Sequence, residues 1–206
     1  MKIKFLKIFF VLALSTSLLT SCVDEDDYSI PKVIEYAFSE SFNDITPGSG
    51  STEIPIELTD WVNYNETGTR LWIGKTFSNN NFAEFSSFYT AAGVSDQTWL
   101  ITPAINLTTA TAPKLSFSTL TRFANGYPLK AMVSTDYDGT TAGIATATWT
   151  ELTFAKPTVN DLSVKSGKID LSDYISDNVR IAFKYTGSKA GVTTTLQLDN
   201  IKITKN

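Results

Sequence analysis

Apolar residues recur at every second position over short stretches of this chain and nowhere hold a sustained 3.6-residue spacing, which predicts many strands and little helix. The clearest case is Val179–Tyr185, where Val179, Ile181, Phe183 and Tyr185 alternate with Arg180, Ala182 and Lys184, the signature of a half-buried strand. Lys114–Arg122 divides in the same way, with Leu115, Phe117, Thr119 and Thr121 on one side and Ser116, Ser118, Leu120 and Arg122 on the wetter one. Trp99-Leu100-Ile101, stopped by Pro103 and followed by Ile105 and Leu107, reads as a central strand and its exit. Arg70–Phe77 and Phe82–Tyr89 flank Ser78-Asn79-Asn80-Asn81, a turn signal, and form a predicted hairpin. Further strands are expected over Tyr36–Phe42, Trp61–Tyr64, Leu129–Thr135, Gly167–Leu171 and Thr194–Thr204. About ten short strands separated by turn signals indicate an all-β chain, an antiparallel β-sandwich of low helix content.

Two positions break the pattern. Glu40 shares its parity with Phe38 and Phe42, so a carboxylate is set beside two aromatic rings, costly unless it is paired or binds a metal. In the last strand Leu196 and Leu198 have one parity, Ile201 and Ile203 the other. All four can point inward only across a one-residue bulge near Asp199-Asn200, and a bulge re-aims side chains, which makes Asp199 a candidate ligand.

Composition narrows the chemistry. The 206 residues include no histidine and one cysteine, so serine–histidine and cysteine–histidine pairs, histidine-held zinc or iron and disulfides are excluded. Carboxylate chemistry survives, and a glycosidase would draw its pair from Glu66, Glu84, Asp96 or Asp136, although nothing in the sequence selects one. Asp136, Asp138 and Gly139 begin like a calcium loop but lack its later acids, so a turn is the better reading.

The amino terminus has its own logic. Lys2, Lys4 and Lys7 precede an apolar run from Ile8 to about Leu19, shorter than the roughly 20 residues a spanning helix needs and of the length of a signal peptide. Leu19-Thr20-Ser21-Cys22 resembles the lipobox of bacterial lipoproteins, which implies a signal peptide at 1–21, a lipidated Cys22 and a membrane anchor made of acyl chains. The acids Asp24-Glu25-Asp26-Asp27 resemble the export signal that places lipoproteins on the outer-membrane surface of Bacteroidetes-type cells, and residues 22–36 read as an acidic tether. Without the three leader lysines, 14 bases face 21 acids, a net charge of about −7 that argues against nucleic acid as a partner.

Taken in order, Glu40-Ser41-Phe42, Trp99-Leu100-Ile101-Thr102-Pro103, Ser134–Gly139 followed by Trp149-Thr150, Ile169–Ser172, Arg180–Phe183 and Leu198-Asp199-Asn200-Ile201 resemble the choice-of-anchor J and cleaved-adhesin domains, including Bacteroidetes lipoprotein domains of unknown function. The likeness covers about residues 37–204, within a single domain at 37–206, and departs from many members in the polar segment around Asn79–Asn81. It implies a jelly roll whose first and last strands are neighbours, as in carbohydrate-binding and MAM-like domains where a structural calcium often ties the ends together. Glu40 and Asp199 would then be ligands, completed by groups such as Asn43 and Asn200, because calcium takes six to eight oxygens. The function it implies is a non-catalytic surface binding or adhesion module, with a glycan as ligand and Trp61, Tyr64 and Trp72 as stacking platforms. An accessory protein that binds another outer-membrane protein is the alternative, and a carboxylate glycosidase a third. Trp61, Trp99 and Trp149 stand at motif positions that family members bury.

Overall fold

A computed structural model describes residues 33–206; the leader, Cys22 and most of the acidic tether lie outside the described residues. Twelve strands pair into two antiparallel sheets: β1 (Tyr36–Glu40), β2 (Val62–Thr67), β3 (Ile73–Phe77), β4 (Asn80–Phe85), β5 (Ser95–Ile101), β6 (Lys114–Arg122), β7 (Leu129–Ser134), β8 (Thr150–Leu152), β9 (Val164–Lys165), β10 (Ile169–Asp170), β11 (Arg180–Ser188) and β12 (Thr195–Thr204). The seven-stranded sheet runs β10-β6-β12-β4-β3, with β1 also on β12 and β9 on β6; the five-stranded sheet runs β2-β5-β11-β7-β8. From β4 to β7 the chain changes sheet at every connection, and β11 and β12 repeat the crossing, which makes the sandwich a jelly roll. The described helices are short 3-10 turns at Ser87–Tyr89, Ala142–Ala145 and Ser172–Tyr174.

The alternation of the sequence builds the core directly. Leu115 and Phe117 of β6, Phe85 of β4, Leu100 of β5 and Ile181, Phe183 and Tyr185 of β11 meet between the sheets, all buried. Each such side chain contributes about 1.5–3 kcal/mol by leaving water, and a one-residue slip would expose the whole row. The parity switch in β12 is resolved by a bulge: Asp199 pairs with Ser118, but Lys202 pairs with Ser116, so three steps on β12 oppose two on β6. Leu196, Leu198, Ile201 and Ile203 are consequently all fully buried. The bulge falls where β12 changes neighbour, from β4 along Leu196–Leu198 to β1 along Ile201–Thr204.

The hairpin β3–β4 turns on two residues, Ser78 and Asn79, with φ of +50° and +62°, the all-positive geometry of a type I′ turn. Asn80 and Asn81, expected in the turn, instead extend β4. Trp99–Ile101 lies inside its sheet between β2 and β11, although β11 is the middle strand. After β5 ends, Thr102 keeps contact with β11 through its hydroxyl, which accepts the Ile181 N–H at 3.0 Å, and Ile105 bridges to Val179.

One face differs from the alternation. Ala182 sits on the parity expected to be wet, yet it is fully buried with Trp99, Ile101, Tyr137 and Ile144. The segment 136–149 folds over the outer face of the five-stranded sheet, and Trp149 packs on Trp99 and Tyr137 with ring centroids 5.3 Å apart in each pair. Asp136 anchors this segment by accepting from the Ser134 hydroxyl at 2.7 Å and the Thr148 N–H at 2.8 Å. Asp138, hydrogen-bonded to the Thr140 N–H, forms the expected turn.

Candidate functional site

Among the described residues, no such segment covers the outer face of the seven-stranded sheet. Lys75 and Phe77 from β3, Phe82 and Glu84 from β4, Gln197 and Asp199 from β12, and Ser118, Leu120 and Arg122 from β6 line a groove of about 800 Å3, closed at one side by Asp161 and Ser163. β6 and β12 are distant in sequence from the β3–β4 hairpin, but the pairing aligns the wet parity of each strand: Glu84 lies opposite Gln197, Gln197 opposite Leu120, and Asp199 opposite Ser118. Phe82 and Leu120 interrupt an otherwise polar floor; the ring of Phe77 stands at the hairpin end, 75% exposed. An apolar ring over a floor of paired polar groups is the combination that recognises a polyhydroxylated ligand.

The polar groups are held in pairs. Gln197 Nε2 donates to Glu84 Oε2 at 3.0 Å, Asn80 Nδ2 donates to Asp199 Oδ2 at 3.0 Å, and Arg122 Nε donates to Asp161 Oδ1 at 2.7 Å. Burial raises the Asp199 carboxyl above the usual aspartate range, opposed by Asn80, the Asn200 N–H and the charge of Lys202. Burial therefore makes ionised Asp199 less favourable in the fold than in the unfolded chain.

The residues expected to stack on a sugar are divided among three environments. Trp72 is fully buried: its indole N–H donates to the Thr98 carbonyl at 3.4 Å, and its ring packs on Phe85 and Tyr185. It is core because Asn63 binds its backbone on both sides, accepting the Trp72 N–H at 3.0 Å and donating to its carbonyl at 2.7 Å, which fixes this segment against β2. Trp61 packs its ring on Phe38 and Phe42 at the margin of the core, and Tyr64 lies across from Trp99 on the covered face of the other sheet. The three form no common platform. The exposed ring that does line a groove, Phe77, has a sequence signal: an aromatic on the same parity as Lys75, directly before the turn.

The expected calcium ligands meet at the bulge but are already engaged. Glu40 lies opposite Ile201 in the β1–β12 ladder, and its Oε1 accepts the Phe42 N–H at 2.5 Å, made possible by a positive φ at Phe42. Asp199 Oδ1 accepts the Asn200 N–H at 2.6 Å, and the Asn43 carbonyl accepts from Asn81 at 3.0 Å. Three of the four carboxylate oxygens thus hold N–H donors, far from the six to eight oxygens that calcium gathers, and the described residues contain no cluster of three or more carboxylate, cysteine or histidine side chains at metal-binding spacing. The two carboxylates alone fall short of that oxygen count.

The four carboxylates weighed for hydrolysis are also scattered. Glu66 is on the covered face, where Lys184 at 2.9 Å and the Trp99 indole N–H at 2.9 Å hold its carboxyl below the usual range. Asp136 anchors the covering segment, its carboxyl lowered first by the Ser134 hydroxyl. Asp96 is fully buried, with Oδ2 accepting the Ser87 and Thr90 hydroxyls at 2.5 Å each. Its Oδ1 lies so close to Gly68 that a Cβ there would come within 2.3 Å, and Gly68 has φ +88°. Asp96 ties the turn after β4 to the start of β5. Only Glu84 lines the groove.

A sequence-family profile described as a domain of unknown function (DUF5017) matches residues 105–205, just under half the chain. That span includes β6 to β12 but not the β3–β4 wall of the groove. No curated protein matches the sequence. Among solved structures, the chain is similar to the K1 cleaved adhesin domain of Lys-gingipain from Porphyromonas gingivalis W83, at 18% identity and a TM-score of 0.49 over 82% of this chain and 98% of that one. It is also similar to the K3 cleaved adhesin domain of the same protein, at 16% identity and a TM-score of 0.49 over 84% and 100%. A third similarity is to the CBM22-1 xylan-binding domain from Paenibacillus barcinonensis Xyn10C, at 12% identity and a TM-score of 0.44 over 84% and 95%.

Proposed function

We propose that this chain is a lipid-anchored, surface-exposed binding module that holds a glycan, without hydrolysing it, in the groove on its seven-stranded sheet. The observation that carries the reading is the groove itself: an open trough of about 800 Å3 with an exposed aromatic ring at one end and hydrogen-bonding side chains fixed in pairs along its floor. Fixed polar groups reduce the ordering cost of binding, and a ring face adds contact with sugar C–H groups. The anchor rests on Leu19–Cys22 and the display on Asp24–Asp27.

The test is affinity electrophoresis of the mature chain, in mild detergent, through gels containing a panel of polysaccharides. At least one should retard it. Phe77→Ala should weaken that retardation about five- to tenfold, from roughly 1 kcal/mol of aromatic contact. Because Phe77 is exposed, its loss should leave the melting temperature unchanged. Release of reducing sugar from a retained polysaccharide would overturn the non-catalytic reading.

A further inference from the structure

Resting on the groove as a glycan site, we infer that its ligand is an uncharged glycan and that uronic-acid and sulfated polymers are excluded by the groove's own acceptors. Three carboxylates line it, Glu84, Asp161 and Asp199, against two cations, Arg122 and Lys75. Both cations are engaged: Arg122 Nε donates to Asp161 Oδ1 at 2.7 Å with its guanidinium 5.5 Å from the Phe123 ring centroid, and Lys75 Nζ donates to the Gly50 carbonyl at 3.3 Å. Two more lysines stand at the groove's margin, Lys165 opposite Ser118 in the β6–β9 ladder and Lys202, whose charge acts on Asp199 and whose Nζ lies 5.7 Å from the Tyr36 ring centroid.

The hydrogen-bond chemistry points the same way. Gln197 and Asn80 each give an N–H to a carboxylate, so the amide donors are partly consumed inside the groove while carboxylate lone pairs and amide oxygens remain. Sugar hydroxyls both donate and accept, and they satisfy such a surface. The carboxylate of a uronate and a sulfate group only accept, so either would set acceptor against acceptor and anion against anion in the trough, beside whatever hydroxyls the sugar keeps. The burial that raises the Asp199 carboxyl also works against a second negative charge brought beside it.

The experiment compares the mature chain on neutral polymers (galactan, xylan, mannan and mixed-linkage glucan) and anionic ones (polygalacturonate and chondroitin sulfate) at 20 and 200 mM NaCl. Retention by a neutral polymer, with anionic ones bound at least tenfold more weakly, is the expected result. The Glu84→Gln/Asp161→Asn variant removes two negative charges and releases Arg122; it should gain at least fivefold in polygalacturonate binding at low salt. Asn is tolerated at position 161, where φ is +60°, so the variant should fold. Polygalacturonate binding by the unmodified chain without neutral binding overturns the inference yet keeps the groove as a glycan site. No gain in the variant overturns the charge argument. Failure to bind any polymer overturns the glycan reading itself, and the inference with it.

Discussion

On the five-stranded sheet the outward rows Tyr64–Trp99–Lys184 and Val62–Ile101–Ala182–Met132 lie beneath residues 136–149, whereas on the seven-stranded sheet no segment among the described residues lies over the outward row Glu84–Gln197–Leu120. The two faces use their aromatic residues differently. Trp99, Tyr137 and Trp149 close a second small core, so that face is finished by its own chain. Phe77 packs on little and stands beside a polar floor. The difference shows that aromatic content alone does not mark a binding surface; what matters is whether the chain supplies a cover.

The largest effect expected from breaking this contrast is at Tyr137, fully buried under the Arg180 guanidinium and against Trp149. Tyr137→Ala should cost about 3–5 kcal/mol, a drop of roughly 10 °C in melting temperature, because it leaves a ring-sized cavity in the covering layer. Polysaccharide retention at room temperature should not change, since the groove is on the other sheet. A matching loss of binding would show that the two faces are coupled. A smaller effect separates packing from hydrogen bonding at the same position. The Tyr137 hydroxyl is buried without a partner among the described residues, and Tyr137→Phe should therefore be neutral or stabilise by up to about 1 kcal/mol in a denaturant titration. A clear destabilisation would mean that the hydroxyl is satisfied in solution.

The same contrast explains how far the sequence could be read. Period-two alternation specifies inward rows, and those in β6, β11 and β12, including the bulge at Asp199-Asn200, are where the alternation puts them. It says nothing about what covers the outward rows. Ala182 looks wet by parity and is buried because a segment distant in sequence lies on it. Trp72 looks available for stacking and is buried because Asn63 fixes its backbone. The alternation shows the groove only in parts, the wet parity Ser118–Leu120–Arg122 on one strand and the bulge at Asp199 on another; their union depends on the order β6-β12-β4-β3, which no local pattern encodes. Glu40 and Asp199 break the alternation, and in the fold each carboxylate accepts N–H donors.

The smallest expected effect, and the sharpest on the comparison, is in pH dependence, because Glu66 on the covered face and Asp199 in the groove shift in opposite directions. Glu66, hydrogen-bonded to Lys184 and the Trp99 indole, titrates below its unfolded value, so the stability it contributes is present above the unfolded pKa of about 4.3 and is lost as pH falls through the lower folded one. Asp199, raised by burial, works in reverse: the folded chain keeps its proton to higher pH than the unfolded chain, and that contribution is complete below about 3.9 and lost as pH rises through the folded value. Replacing each with its amide removes the titration. Relative to the unmodified chain, Asp199→Asn should gain stability as pH rises from 3 to 6, whatever constant offset its altered hydrogen bonds impose, while Glu66→Gln should lose it over the same interval. Urea unfolding at several pH values reads both slopes. Parallel slopes would remove the electrostatic distinction between the covered face and the groove; opposite slopes, with that of Asp199→Asn reduced when a retained glycan is present, would tie the titrating carboxyl to the ligand trough.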